Sequence, residues 1–214
     1  GAGGGGFGRG GGGANQGPLV LPGTYTVALV VDGKTVASKP LTIVMDPEVQ
    51  LTAAQRVAYN ALATELHSAQ QAGAAAAAPM TALLAEVRKA AAKMDSTPTL
   101  ADSVKTQFAA CRKDFDAVRA KLGAGAPVVA VGPGGGGGAG FGSNDANVLA
   151  RLGAVKSGML SVWETPSASV QSQATSAKTA VEAAVAEANT LMARARSMRA
   201  LLAANGITMA VPAN

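Results

Sequence analysis

Residues 24–37 are Thr24-Tyr-Thr-Val-Ala-Leu-Val-Val-Asp-Gly-Lys-Thr-Val-Ala37. Apolar Tyr25, Val27 and Leu29 alternate here with small or polar residues, a pattern typical of a half-buried strand. Asp32-Gly33 is a strong hairpin signal, because aspartate and glycine both tolerate the positive φ angles that a two-residue turn requires. The segment therefore predicts two antiparallel strands joined by a tight turn.

A third strand is predicted over residues 41–45, ending at Asp46-Pro47. Three strands are too few, since an immunoglobulin-like sandwich has about seven and a lone hairpin is marginal in water. We therefore expect an incomplete Ig-like antiparallel segment with an open edge or an uncovered apolar face. That face would consist of Tyr25, Val27, Leu29, Ile43 and Met45. Edges of this kind are covered by another chain or segment, or they aggregate.

From residue 51 onward the apolar residues follow the period of α-helices. Thr52 and Gln55 have the spacing of a capping box and predict the start of a first helix. The apolar positions of that helix are Val57, Leu62 and Leu66. We expect Gly73, the alanines at 74–78 and Pro79 to end it, and a second helix to run to about Asp95.

Three more helices are predicted further along the chain. Thr99 and Asp102 would cap the third, whose apolar face is Val104, Phe108, Cys111, Phe115, Val118 and Leu122. Ser143, Asn144 or Asp145 would cap the fourth, which extends to Trp163, and the last spans about residues 167–204. Helices joined by short turns pack as antiparallel neighbours. The fold class expected is therefore α+β, mainly α, with an up-down bundle of four to five helices.

Glycine is concentrated in two tracts: of 27 glycines, 11 lie within residues 1–17 and 10 within residues 123–142. Glycine brings no side chain to a core and loses much backbone freedom on folding, so such tracts are typical of linkers. The predicted organisation is a glycine-rich linker (1–17), a β segment (18–47), a first helical part (51–122), a glycine-rich loop (123–143), a second helical part that completes the bundle (144–206) and a tail (207–214).

Each glycine tract contains a single large side chain in a Gly-Phe-Gly setting, Phe7 in the first and Phe141 in the second. Each is either a chance aromatic in a linker or an anchor that fills a partner's pocket while the glycine backbone lies close to its surface. The candidate partner contacts are Phe7, Arg9, Tyr25, Val27, Leu29 and Phe141.

Residues able to carry out chemistry are few. His67 is the only histidine, and Glu65 lies two positions away on a helix, so the pair does not share a face. A phosphate-binding loop requires a lysine directly after its glycines, and no lysine follows the glycines at 134–138. Cys111 is interpreted as a small buried hydrophobe. We therefore expect no catalytic site, no metal or other cofactor and no small-molecule substrate.

The charge pattern bears on the partner. The net charge is +5, but positive and negative residues alternate along the predicted helices. A nucleic-acid footprint needs clustered Lys and Arg, so we do not expect nucleic acid as a partner. No run reaches the ~18 apolar residues of a membrane-spanning helix, so any membrane association would come through a partner.

Two stretches resemble the C-terminal region of bacterial sortilin-like β-propeller proteins with BNR repeats. The first runs from Leu21 through Asp32-Gly33-Lys34 to residues 40–49, and the second covers residues 148–160 and 167–206. The resemblance implies an Ig-like element followed by a helical tail, and a periplasmic or exported location. The propeller repeats and their Asp-box motifs are missing from the sequence. The activity of a propeller is therefore not implied.

The resulting hypothesis is a non-catalytic subunit that docks extrinsically onto a larger assembly through its β edge and glycine tracts. A membrane-bound respiratory or photosynthetic complex is an example of such an assembly. The alternative is a C-terminal tail that caps or anchors an exported β-propeller hydrolase or binding protein. A nucleic-acid-binding protein is a third hypothesis, which predicts steeply salt-dependent binding.

Overall fold

The computed structural model describes residues 17–124 and 147–212. These residues form two strands and four helices, and the fold is mainly α with a small antiparallel sheet, as predicted. In chain order the elements are β1 (Gly23–Val31), β2 (Lys34–Ile43), α1 (Ala53–Asp95), α2 (Asp102–Lys121), α3 (Val148–Leu160) and α4 (Ala168–Ala203).

The predicted third strand is wrong, because residues 41–43 continue β2. β1 and β2 pair along their whole length, from Gly23 opposite Ile43 to Val31 opposite Lys34. Pro40 lies within β2 and has no N–H to donate, which a strand tolerates when its outer edge has no partner. One long hairpin therefore replaces the predicted three strands.

The predicted break between two helices is also wrong, since α1 is one helix of 43 residues that contains Pro79. Proline removes one backbone hydrogen bond, but the alanines at 74–78 have the best helix propensity and hold the chain helical. Gly73 lies where two neighbouring helices approach, and a Cβ built on it would be 2.7 Å from Leu149 Cδ1 and 3.0 Å from Val181 Cγ1. This glycine provides space for packing and does not end the helix.

The capping box at the start of α1 is confirmed. The Gln55 N–H donates to Thr52 Oγ1 (3.2 Å), and the Thr52 N–H donates to Gln55 Oε1 (2.9 Å). For α2 the predicted Thr99 cap is wrong, because the N-cap residue is Ala101, which makes no side-chain bond. Asp102 lies in the first turn instead, where its charge favours the helix dipole.

The start of α3 is capped by Asn147, whose Oδ1 accepts a hydrogen bond from the Ala150 N–H (3.0 Å). The three predicted caps at 143–145 lie outside the described residues. The helix ends at Leu160 and does not reach Trp163 as predicted. The last helix agrees with its predicted bounds, with Ser167 as its cap.

The helices bury two clusters of side chains. The first, here called the proximal core, joins the first half of α1 to α3 and the start of α4. It contains Tyr59, Ala63, Leu66, Ala69, Leu152, Met159, Ala174, Ala177 and Val181. The second, the distal core, joins the second half of α1 to α2 and the rest of α4. Its larger members are Met80, Leu83, Val87, Met94, Phe108, Phe115, Leu191, Met192, Met198 and Leu202.

These two cores define the directions of the helices. α1 and α4 run side by side in the same direction, because the start of each contributes to the proximal core and the end of each to the distal core. α2 runs opposite to α4, since Asp114 pairs with Arg194 and Lys121 with Glu187. α3 runs opposite to α1, since Leu149 lies at Gly73 and Met159 at Tyr59.

α2 and α3 therefore lie end to end beside the pair formed by α1 and α4. Each half of the molecule has three helices in cross-section. Four or five helices in strict up-down order were predicted, whereas α2 and α3 run the same way. The end of α2 meets the start of α3, because a Cβ built on Gly123 would lie 2.6 Å from Nδ2 of Asn147. Gly123 and Asn147 are therefore close in space although they are distant in the sequence.

The predicted apolar face of α2, from Val104 to Leu122, is buried, as is Cys111. In α1 the buried stripe does not start at the predicted residue. Val57 is exposed, and the stripe begins at Tyr59. The predicted tail contributes to the distal core through Ile207 and Met209, both buried.

Candidate interaction surface

The hairpin is formed by local backbone chemistry. Asp32 has a φ of 50° and Gly33 a φ of 77°, the combination that matches a two-residue turn to the twist of the strands. An irregularity in the register follows Leu29, and such bulges increase the local twist. The turn and the ladder therefore fix the register of this hairpin.

One face of the hairpin is apolar and open to solvent. Tyr25 lies opposite Leu41, Val27 opposite Lys39 and Leu29 opposite Ala37, so these side chains share one face, on which Lys39 is the single charged residue. Val27 is 53% exposed and Leu29 is 59% exposed. The uncovered apolar face predicted from the sequence is thus present in the described structure, although Ile43 is half-buried and Met45 lies beyond the strand.

The opposite face of the hairpin carries mostly small or polar side chains, with Val30 as an apolar exception near the turn. Its members include Thr24, Thr26, Ala28, Ser38 and Thr42. A hairpin with one apolar and one polar face normally covers the apolar one. Contiguous exposed apolar surface marks sites of interaction in soluble proteins.

The two edges of the hairpin differ in chemistry. β2 contains Lys34, Lys39 and Pro40, residue types that natural sheets use to prevent a further strand from pairing. β1 has neither a charged residue nor a proline from Gly23 to Val31. The β1 edge is therefore the one that can accept another strand.

The base of the hairpin is attached to the proximal end of the helices. Asn60 Nδ2 donates to the Leu19 carbonyl (2.6 Å), and the Tyr25 hydroxyl donates to the Leu21 carbonyl (2.6 Å). The Tyr59 ring stacks on Trp163 with 5.6 Å between centroids, and burial raises the pKa of the Tyr59 hydroxyl. The bond from Asn60 to Leu19 joins the base to α1, while the strands themselves stay exposed.

Of the residues predicted to contact a partner, Tyr25, Val27 and Leu29 are brought together on the open face. Phe7, Arg9 and Phe141 lie outside the described residues.

A buried polar cluster between α1 and α3 was not foreseen. Lys156 is 1% exposed, and its Nζ donates to Gln70 Oε1 and lies 3.3 Å from Nδ1 of His67. The His67 Nε2 in turn lies 2.8 Å from the Gln71 side-chain nitrogen. Burial lowers the pKa of the Lys156 ammonium, because desolvation disfavours its charged form.

Other titratable groups form ordinary surface contacts. Asp114 pairs with Arg194 across 2.7 Å on exposed surface, a type of contact that contributes little stability. Within residues 17–124 and 147–212, no three His, Cys, Asp or Glu side chains are grouped so as to hold a metal ion. None of the helices in these two ranges combines the length and the apolar character needed to cross a membrane.

No protein-family model matches the sequence, and no curated protein or solved structure is significantly similar to it. The resemblance to the sortilin-like proteins therefore stays an expectation.

Proposed function

We propose that the protein is a non-catalytic interaction subunit that joins a larger assembly by strand addition at the β1 edge of its hairpin. The observation that carries the proposal is the chemical difference between the two edges. Lysines and proline protect β2, whereas β1 carries neither. Main-chain hydrogen bonds to β1 would supply affinity, and the apolar face would supply specificity.

The exposed apolar face supports the same proposal. A two-stranded hairpin is marginal in water, so further strands and a covering layer would stabilise it. Burial contributes roughly 25 cal/mol for each Å² of apolar surface removed from water. A partner that supplies both layers would complete the Ig-like sandwich expected from the sequence.

The wider setting belongs to the same proposal. The glycine tracts, with Phe7 and Phe141, would provide additional contacts, and the helices would act as a spacer. The resemblance to exported proteins favours a periplasmic location and an assembly that includes membrane subunits. In this setting the subunit itself requires no cofactor and no small-molecule substrate.

The test is co-purification of native partners with tagged Val27→Lys and Ser38→Lys variants, together with hydrogen exchange of the β1 amides. Both substitutions place a lysine at an exposed hairpin position, but only Val27 belongs to the apolar face. We expect Val27→Lys to abolish the association and Ser38→Lys to retain it, and the partner to slow exchange along β1. Equal association of both variants, or β1 amides equally protected without a partner, would contradict the proposal.

The open edge is also compatible with the second hypothesis, in which preceding strands of a longer chain cover β1 and this region caps or anchors an exported β-propeller protein. An intact-mass measurement on native material separates the two. A mass near 21.0 kDa supports a separate subunit, and a much larger one supports the tail.

A further inference from the structure

The net charge of the chain is confined to one part of the fold. Residues 80–124 and 184–212, which surround the distal core, carry eleven Lys or Arg and six Asp or Glu. The rest of the chain carries seven of each and is neutral. Part of this excess lies in α4, where Arg194, Arg196 and Arg199 follow one another with no acidic residue between them. The distal half should therefore attract an acidic partner.

A cleft of about 730 Å³ lies in this positive half, between α1 and α2. Its floor is apolar and contains the small residues Ala91 and Ala109 beside buried Met94 and Phe108. The cations that line it are Lys105, Arg112 and Lys113, and the carboxylates are Asp95 and Asp116. Asp116 is engaged by Arg119 at 3.5 Å and Lys105 by Asp102 at 3.4 Å, so the remaining charge of the lining is positive.

The shape of the lining suits a helix. Lys105, Ala109, Arg112 and Asp116 follow one another at helical spacing, so they form a stripe along α2. The small side chains of Ala91 and Ala109 in the floor allow another helix to approach to about 8 Å between axes, the close end of helix packing. The distal half has three helices in cross-section, and a fourth seated in the cleft would cover its apolar floor.

We propose that this cleft is a second docking site, independent of the hairpin, for an amphipathic helix of a partner protein whose apolar stripe is flanked by acidic side chains. The apolar stripe would lie on Ala91, Met94 and Ala109, and the acidic flank would face Arg112 and Lys113. Such pairing of opposite charges gives orientation and speeds association. A phosphate backbone carries no apolar stripe and would leave Ala91, Met94 and Ala109 uncovered.

The test uses a fluorescent helical peptide as long as α2, with a leucine and alanine stripe flanked by glutamates, and a control peptide in which lysines replace the glutamates. Binding to the full chain is followed by anisotropy at low and high salt. We expect saturable binding of the acidic peptide that weakens with salt, and little binding of the lysine peptide.

Substitutions locate the site. Arg112→Glu with Lys113→Glu should weaken binding by about tenfold or more, since opposing like charges replaces attraction with repulsion. Ala109→Trp should weaken binding to a similar extent, because the indole ring would occupy the floor of the cleft. Ala109 is exposed, so the larger side chain should not disturb the core. The matched control, Lys34→Glu with Arg151→Glu, reverses two exposed charges outside the cleft and should leave affinity unchanged within about twofold.

The proposal is overturned if the acidic peptide shows no saturable binding, or if both peptides bind equally. It is also overturned if the cleft and control variants lose affinity alike. Binding of anionic vesicles or of RNA without binding of the acidic peptide would assign the charge to a different partner and would likewise overturn it. Circular dichroism of each variant shows that the helices are intact.

Discussion

The hairpin and the distal core contain the same kinds of apolar side chain but place them differently. Leu29 and Val27 lie in solvent, whereas Leu83 and Phe115 are almost fully buried between three helices. The hairpin forms because its turn and ladder satisfy the backbone, while the helices depend on packing of their apolar stripes. Stability therefore belongs to the helices, and the apolar surface of the hairpin is available for binding.

The largest effect is expected from truncating the same residue type in the two regions. Leu83→Ala should lower the free energy of unfolding by about 2–5 kcal/mol, because it leaves a cavity in the distal core. Leu29→Ala should change it by less than about 0.5 kcal/mol, because that side chain is already exposed. Urea unfolding followed by circular dichroism at 222 nm measures both. Equal losses would mean that the hairpin packs on the helices in solution.

A smaller effect is expected where the helices approach most closely. Gly73→Ala brings a Cβ against Leu149 and Val181, and overpacking of about 1–3 kcal/mol outweighs the gain in helix propensity. We expect a net loss of about 1 kcal/mol. Gly158→Ala is the control, because a Cβ at that position in α3 meets nothing within 4 Å. It should be neutral or stabilising by up to about 1 kcal/mol. Stabilisation by both would show that Leu149 and Val181 move aside for the added methyl group.

The smallest effect concerns the buried lysine, which gives the proximal half a polar interior that the distal core lacks. The pKa of Lys156 is lowered in the folded state from its usual 10.5, so the unfolded chain binds more protons between the two values. Stability should therefore rise with pH across that window. Lys156→Met should abolish this gain in urea unfolding at neutral and alkaline pH. Lys93→Met, at an exposed position in α1, should retain it. Retention of the gain in Lys156→Met would assign it to another group.

Local signals in the sequence predicted much of the fold. Asp32-Gly33 indicated the turn because few residue pairs tolerate two positive φ angles, and the spacing from Val104 to Leu122 indicated the buried face of α2. The exposed face of Tyr25, Val27 and Leu29 also followed from sequence, since alternation with too few strands leaves one side uncovered. In each case the signal lies within about twenty residues.

The wrong predictions involve effects set by distant residues. Pro79 looked like a helix break, but packing on both sides of it and the alanines before it keep α1 continuous. Lys156 has no distinguishing signal in the sequence, because only the meeting of α1 and α3 brings Gln70 and His67 beside it. β2 likewise continues through Pro40, which is possible because no further strand pairs with the outer edge of β2. Such contacts have no local pattern in the sequence.

The meeting of Gly123 and Asn147 has a consequence for how the chain can be divided. A cut between them would give two fragments, one with α1 and α2 and the other with α3 and α4. Each fragment holds part of both cores, because α4 completes the proximal and the distal clusters alike. The fragments should therefore reassemble when mixed.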